Sequence, residues 1–259
     1  MQYLAKLGYV VVIHDHRGHG KSVKNQDDLG FTYGGGAQAM LQDIRTVNRK
    51  IHAYYPELPL ILMGHSMGSL AVRAFVAEHD SCVDMLIVCG SPSYNTAMPL
   101  GVAIAKTEKA VFGPRHRSKL IETMSFGAGA MKFRKDKRCT AWICSDPDVA
   151  KEYEESEMCG FTFTDDAYLA LFELMKRAYD VEHFSCTNPD MPVLFVSGAE
   201  DPCLINVRHF AKTVRAMRQA GYKDVKGKLY PGMRHEILNE IGREQVYHDI
   251  AVYMRKKGF

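Results

Sequence analysis

One repeated order constrains this chain more than anything else in it: a short apolar run of strand length, a glycine-bearing turn, then a stretch of helical periodicity. Tyr9 to Asp15 is the first such run and ends in Arg17-Gly18-His19-Gly20. Leu58 to Met63 is the second and passes into Gly64-His65-Ser66-Met67-Gly68. Met85 to Cys89, Val193 to Ser197 and Val225 to Tyr230 are three more. Ala37 to Tyr55, Leu70 to Val76, Ile205 to Ala220 and Glu240 to Lys257 carry apolar residues at helical spacing. Gln2 to Leu7 has the look of the tail of an amphipathic helix. Strands that alternate with helices predict an α/β fold, a mostly parallel sheet with helices on both faces. From about Ser93 to Pro189 the alternation breaks, leaving helix-like pieces at Leu100 to Val111, Val149 to Glu155 and Ala167 to Tyr179, with the only tryptophan, Trp142. A segment that long is no ordinary loop. It predicts an inserted helical cap over residues 93–189, on a core made of residues 1–92 and 190–259.

Composition narrows the function. Hydrophobic residues at 46% supply a large core, and a net charge of +3 with both signs mixed along the chain gives no electrostatic footprint for nucleic acid. The cysteines, Cys82, Cys89, Cys139, Cys144, Cys159, Cys186 and Cys203, are odd in number and show no metal-ligand spacing. They are expected to be reduced thiols of a cytoplasmic protein. No apolar run approaches the length of a membrane span, and the N-terminus lacks the order of a signal peptide.

Gly64-x-Ser66-x-Gly68, directly after an apolar run and opening a helix, fits the nucleophile elbow, a sharp turn that exposes a serine oxygen above a sheet. A serine hydroxyl is a poor nucleophile at neutral pH, so a base must take its proton and a carboxylate must orient the base. Asp201 stands in Gly198-Ala199-Glu200-Asp201-Pro202 after the fourth run, with Glu200 as its nearest rival. His235 stands in Pro231-Gly232-Met233-Arg234-His235 after the fifth. All fall on the rim where open α/β sheets bind ligands, in the order Ser, Asp, His.

These motifs, with Asp15-His16-Arg17-Gly18-His19-Gly20-Lys21-Ser22, resemble the α/β-hydrolase family of monoacylglycerol lipases, bacterial lysophospholipases and the serine aminopeptidase S33 group. The cap stretches Trp142 to Asp146 and Cys159 to Thr164 resemble bacterial members of that group, so the likeness covers nearly the whole chain. It implies an α/β-hydrolase fold with Ser66 as nucleophile, His235 as general acid/base, Asp201 as orienting carboxylate and the Met67 backbone N–H as one oxyanion donor. His65, beside the nucleophile, is assigned to substrate binding. The implied reaction is hydrolysis of a carboxylic ester, a monoacyl lipid or another small acyl ester, through an acyl-enzyme and without cofactor or metal.

The family pattern begins with further strands and a His-Gly loop that supplies a second oxyanion N–H, and this chain begins after them. Losing one such donor typically costs roughly 10²–10³ in turnover. The family's topology would place the absent strand between Tyr9 to Asp15 and Leu58 to Met63, leaving both unpaired unless they close up on each other. A fragment or a mis-called start at Met1 is the favoured explanation. The alternative function is therefore a silent α/β-hydrolase-like protein that binds a ligand or partner through the same pocket. His14, His16 and His19 are expected to pack the loop and not to hold a metal, since no carboxylate or cysteine completes a ligand set. The basic stretch Lys132 to Arg138 is compatible with transient contact to anionic lipid head groups, although such runs ordinarily solvate a surface. Met98, Met124, Met131 and Met158 suit either an adaptable acyl pocket or plain gap-filling, and Cys203 is expected to pack beside the site.

Overall fold

A computed structural model describes every residue except Lys137, Cys139 and the side chain of Ala128, so Lys137 of the basic stretch and Cys139 of the cysteine set lie outside the described residues. The elements run α1 (Gln2–Lys6), α2 (Gly36–Tyr54), β1 (Ile61–His65), α3 (Met67–His79), β2 (Met85–Cys89), α4 (Met98–Phe112), α5 (Lys119–Lys132), α6 (Pro147–Glu155), α7 (Asp165–Tyr179), β3 (Val193–Gly198), α8 (Val207–Gln219), β4 (Val225–Tyr230) and α9 (Arg243–Lys256). The four strands form one parallel sheet in the order β1-β2-β3-β4.

Period-two alternation divides the core. Leu86, Val88, Val193 and Phe195 point to one face and pack with α2, α3, α7 and α8. Met85, Ile87, Cys89, Leu194 and Val196 point to the other and pack with α9. α3 is buried from Gly68 to Ala77, which explains why its sequence is apolar on all sides.

The first apolar run departs from expectation. Tyr9 to Asp15 forms no strand, and β1 is left as an edge. A strand exists only where a neighbour takes its backbone N–H and C=O groups, and the two segments do not close up on each other among the described residues. The run is held at its ends instead. The Tyr9 hydroxyl donates to the Phe259 carbonyl at 3.0 Å, and Arg17 grips Asp43 of α2 with two hydrogen bonds of 2.8 Å. In between, Val12 and Ile13 are 51% and 65% exposed.

The stretch between β2 and β3 holds α4 to α7. α5 is the helix that periodicity did not indicate, because Gly127 and Gly129 interrupt its apolar pattern; its start is capped by Ser118, whose Oγ accepts the Ile121 N–H at 3.1 Å. α7 is less detached than a lid: Ala170, Leu174, Met175 and Ala178 belong to the same core as α2 and α3. Among the described residues no helix is long and apolar enough to cross a membrane, and the six described cysteines are free.

Candidate active site

Ser66 follows β1 and caps α3 with φ 54° and ψ −122°, a positive-φ conformation that costs a non-glycine residue about 1–3 kcal/mol and survives only where packing imposes it. The packing is the close approach of strand and helix. A Cβ on Gly64 would stand 2.2 Å from the Gly68 carbonyl oxygen, so only glycine fits there. At Gly68 the nearest foreign atom is His16 Nε2 at 3.5 Å, an ordinary contact, so the requirement falls on the first glycine of the motif.

The turn presents the hydroxyl to a histidine 169 positions away. Ser66 Oγ donates to His235 Nε2 at 2.8 Å, and His235 Nδ1 donates to Asp201 Oδ2 at 2.9 Å. The Asp201 carboxylate also accepts the Cys203 N–H at 2.8 Å and the Ser197 hydroxyl at 3.2 Å. Asp201 and His235 are 1% and 4% exposed. Glu200, the rival carboxylate, is exposed, and it is Asp201 that accepts the His235 Nδ1 hydrogen; the Glu200 backbone is fixed by its N–H to the Met233 carbonyl and by Lys132 Nζ on its own carbonyl at 2.8 Å. The two loops meet because residue 198 is glycine, where a Cβ would lie 2.1 Å from the Arg234 carbonyl oxygen.

Electrostatics follow from burial and the carboxylate. Burial pulls the His235 pKa down, but the Asp201 carboxylate that accepts its Nδ1 hydrogen opposes burial and raises it above 6.5. Asp201 is raised by burial and brought below its ordinary value by His235 and its hydrogen-bond donors. Burial pushes the Cys203 thiol up, which keeps it protonated.

His65, expected as a substrate contact, donates its Nε2 hydrogen to the His235 carbonyl at 3.1 Å and lies against the His235 ring at 4.8 Å. Burial, then the neighbouring His235, lowers its pKa to about 4, so it is neutral and braces His235. Met67 opens α3, where its N–H has no intrahelical acceptor and points out of the positive end of the helix. His14 and His16 pack edge to face at 5.2 Å, and His19 lies against Phe161 and Phe163.

Sequence reasoning missed how the segment after α5 grips the His235 loop. The Trp142 ring sits 5.2 Å from the His235 ring and stacks on Phe126 at 5.6 Å. The Glu236 N–H reaches the Ile143 carbonyl at 2.8 Å. Arg234 donates to the Ala141 carbonyl, pairs with Asp136 at 2.6 Å and lies over Phe133 at 4.0 Å. Glu240, 1% exposed, accepts both the Arg234 N–H at 2.8 Å and the Ser145 N–H at 2.9 Å. A lone tryptophan was the one visible signal; the contacts of Arg234 with Asp136 and Ala141 and of Glu240 with Ser145 span 93 to 98 positions and leave no local pattern.

The chain is similar, at 25% identity over 256 residues, to the monoacylglycerol lipase of Mycolicibacterium smegmatis, covering 98% of this chain and 80% of that protein. A shorter match of 77 residues, 37% identical, joins it to the monoglyceride lipase of Rattus norvegicus, covering 30% of this chain and 24% of that protein. Among solved structures, a carboxyl esterase from Bacillus coagulans in complex with glycerol superposes with a TM-score of 0.85 at 25% identity, over 93% of this chain and 79% of that one. The fold is that of the α/β-hydrolases, and the relatives mark the chain as a hydrolase of esterase or lipase type. The family model for the S33 serine aminopeptidases matches residues 1–242, and the chain belongs to that family.

Proposed function

We propose that the protein hydrolyses carboxylic esters, with monoacylglycerols or lysophospholipids as the substrate class, through Ser66, His235 and Asp201. The observation that carries this reading is the continuous hydrogen-bond relay from a strained serine through a buried histidine to a buried carboxylate. His235 Nε2 takes the Ser66 proton as Oγ bonds to the ester carbonyl carbon. The carbonyl oxygen gathers negative charge beside the Met67 N–H, at the positive end of α3. Collapse breaks the ester C–O bond, and the leaving alcohol carries off the proton held on His235. Water then repeats the sequence: His235 removes its proton, the hydroxide equivalent adds to the acyl carbon, and Ser66 leaves with that proton as the fatty acid is released. Asp201 holds the tautomer with hydrogen on Nδ1, and His65 braces the ring from behind.

The lipid reading draws on the relatives and on the apolar wall of Trp142, Phe126 and Pro202 around the His235 side of the site. In this reading the helices between β2 and β3 form a cap that sets acyl length and gates entry. The test is labelling of the full chain with a fluorophosphonate, followed by p-nitrophenyl esters and monoacylglycerols of increasing acyl length. Labelling that disappears in Ser66→Ala, with a preference for medium or long acyl chains, is the expected result. A well-folded chain that takes no label would favour a silent binding protein.

A further inference from the structure

Away from the active site, three cap elements bring an unusual set of side chains together. Glu108 lies in the last turns of α4, His116 in the loop before α5, and Asp165 at the first position of α7. One ligand atom from each lies within 4.8 Å of the others. His116 Nδ1 and Asp165 Oδ2 are 2.9 Å apart, and the Asp165 N–H holds the His116 carbonyl at 2.8 Å, so the pair is fixed through side chain and backbone.

The set is incomplete as it stands. Asp165 is 0% exposed, yet its Oδ1 is buried without a hydrogen-bond partner, and so is Glu108 Oε2. Buried carboxylate oxygens ordinarily have a donor or a cation, because leaving one bare costs several kcal/mol or more. The basic side chains beside them are spent elsewhere: Lys109 pairs with Asp166 at 2.6 Å, Arg115 with Asp28, and Arg117 donates to the Leu29 carbonyl at 2.7 Å. A surface groove of about 330 Å³, lined by Ala103, Ile104, Thr107 and Glu108, reaches the Glu108 side of the cluster.

We propose that Glu108, His116 and Asp165 form a zinc-class divalent-cation site that ties α4 and the loop after it to the N-terminus of α7. One imidazole nitrogen and two carboxylate oxygens are a common ligand set for zinc, with water in the fourth position. Bonds of about 2.0–2.2 Å around a tetrahedral ion put ligand atoms roughly 3.3–3.6 Å apart. From the present spacing the His116–Asp165 pair, now hydrogen-bonded at 2.9 Å, would open by a few tenths of an ångström and release its shared proton to solvent, and Glu108, whose side chain borders open space, would turn inward. A dication balances the two carboxylates, each of which has a buried oxygen without a hydrogen-bond donor. Because α7 packs in the main core, the ion would fasten the cap segment to the body of the protein. The spacing 108, 116, 165 contains no local metal motif, so periodicity and motif reading pass over it.

The test uses the full chain, stripped with a chelator and dialysed. Zinc is titrated against a chromophoric chelator, cobalt absorption is recorded, and thermal unfolding is followed with and without zinc. Expected are one equivalent bound in the micromolar range or tighter, a higher Tm with zinc, and cobalt bands of nitrogen and oxygen ligation. His116→Asn and Glu108→Gln should each weaken binding by at least about tenfold and remove the Tm gain, while Cys203→Ser changes neither. Glu108→Gln, at a groove wall, keeps the test open if His116→Asn fails to fold. Binding only at millimolar zinc, equal in all variants, would overturn the proposal. So would an equivalent that survives both cap variants, is lost in Cys203→Ser and shows a thiolate-to-cobalt charge-transfer band, since Asp201, Cys203 and His235 are the other close trio of ligand atoms among the described residues.

Discussion

The two halves of the sheet are written in similarly apolar sequence and end in different states. β2 and β3 each have a partner on both sides, and every residue in them is buried. β1 has a partner on one side only, and of its five residues Gly64 alone is buried. Tyr9 to Asp15 is richer in β-branched residues than either and has no partner at all. Apolar, β-branched composition thus supplies the capacity to be a strand, while the ladder supplies the strand. The proposed active site straddles this divide. Asp201 follows β3, which is paired on both sides, and His235 follows β4, the opposite edge; Ser66 follows the half-open β1, held by α3 behind it.

The largest effect is expected from the closed half. Asp201→Asn leaves the loop its shape but removes the acceptor that fixes hydrogen on His235 Nδ1, so kcat should fall by about 10⁴ with the fold retained. A steady-state assay beside a circular dichroism spectrum checks both parts, and a loss of less than tenfold would mean that another group, Glu200 first, orients the histidine.

Stability sharpens the comparison next. Phe195 in β3 is fully buried, and Phe195→Ala should cost about 3–5 kcal/mol of unfolding free energy. Ile61→Ala in β1 removes a side chain that is only partly buried and should cost about half as much or less. Urea unfolding of the two variants measures the gap; equal costs would show that the β1 edge is covered in solution. Native-state hydrogen exchange adds a residue-level view, with amides of β1 that face away from β2 exchanging ahead of those in β2 and β3.

A pH profile probes the bridge between the halves. His235 must be neutral at Nε2 to take the Ser66 proton, and its pKa is raised, so kcat/KM should fall as pH drops through a value above 6.5. Below it the loss is about tenfold per pH unit. His65 stays neutral until about pH 4 and contributes nothing to that limb. A limb centred below 6.5 would mean that burial outweighs Asp201.

Much of this was legible in the chain. The strands β2, β3 and β4 and the helices α2, α4 and α7 lie within a few residues of where apolar periodicity puts them, because each is long enough or buried enough for local pattern to decide. The meeting of Ser66, Asp201 and His235 was legible because a turn motif and rim positions mark all three residues. Asp201 against Glu200 was not, since adjacent loop residues differ only in where the chain points them. Trp142 on His235, Arg234 on the Ala141 carbonyl and the bare oxygens of Asp165 and Glu108 were illegible for a common reason: each depends on two distant segments meeting. The Tyr9 to Asp15 run failed in the opposite sense. Its local signal is strong, and pairing, which no local signal contains, decides the outcome.

That failure gives the smallest and most pointed prediction. Ile13 is 65% exposed, so Ile13→Thr exchanges a mostly hydrated apolar side chain for a polar one of similar branching and should change stability by no more than about 0.5 kcal/mol. The same substitution at a position covered on both faces strips apolar contact and buries a hydroxyl, at a cost of about 2 kcal/mol or more. The two outcomes are far enough apart for a single pair of urea curves to separate them. A change near zero keeps the run as an exposed, unpaired segment and leaves β1 as the edge of the sheet. A loss of the larger size would mean that something covers Ile13 in solution, and Ser66 would then stand beside a completed sheet.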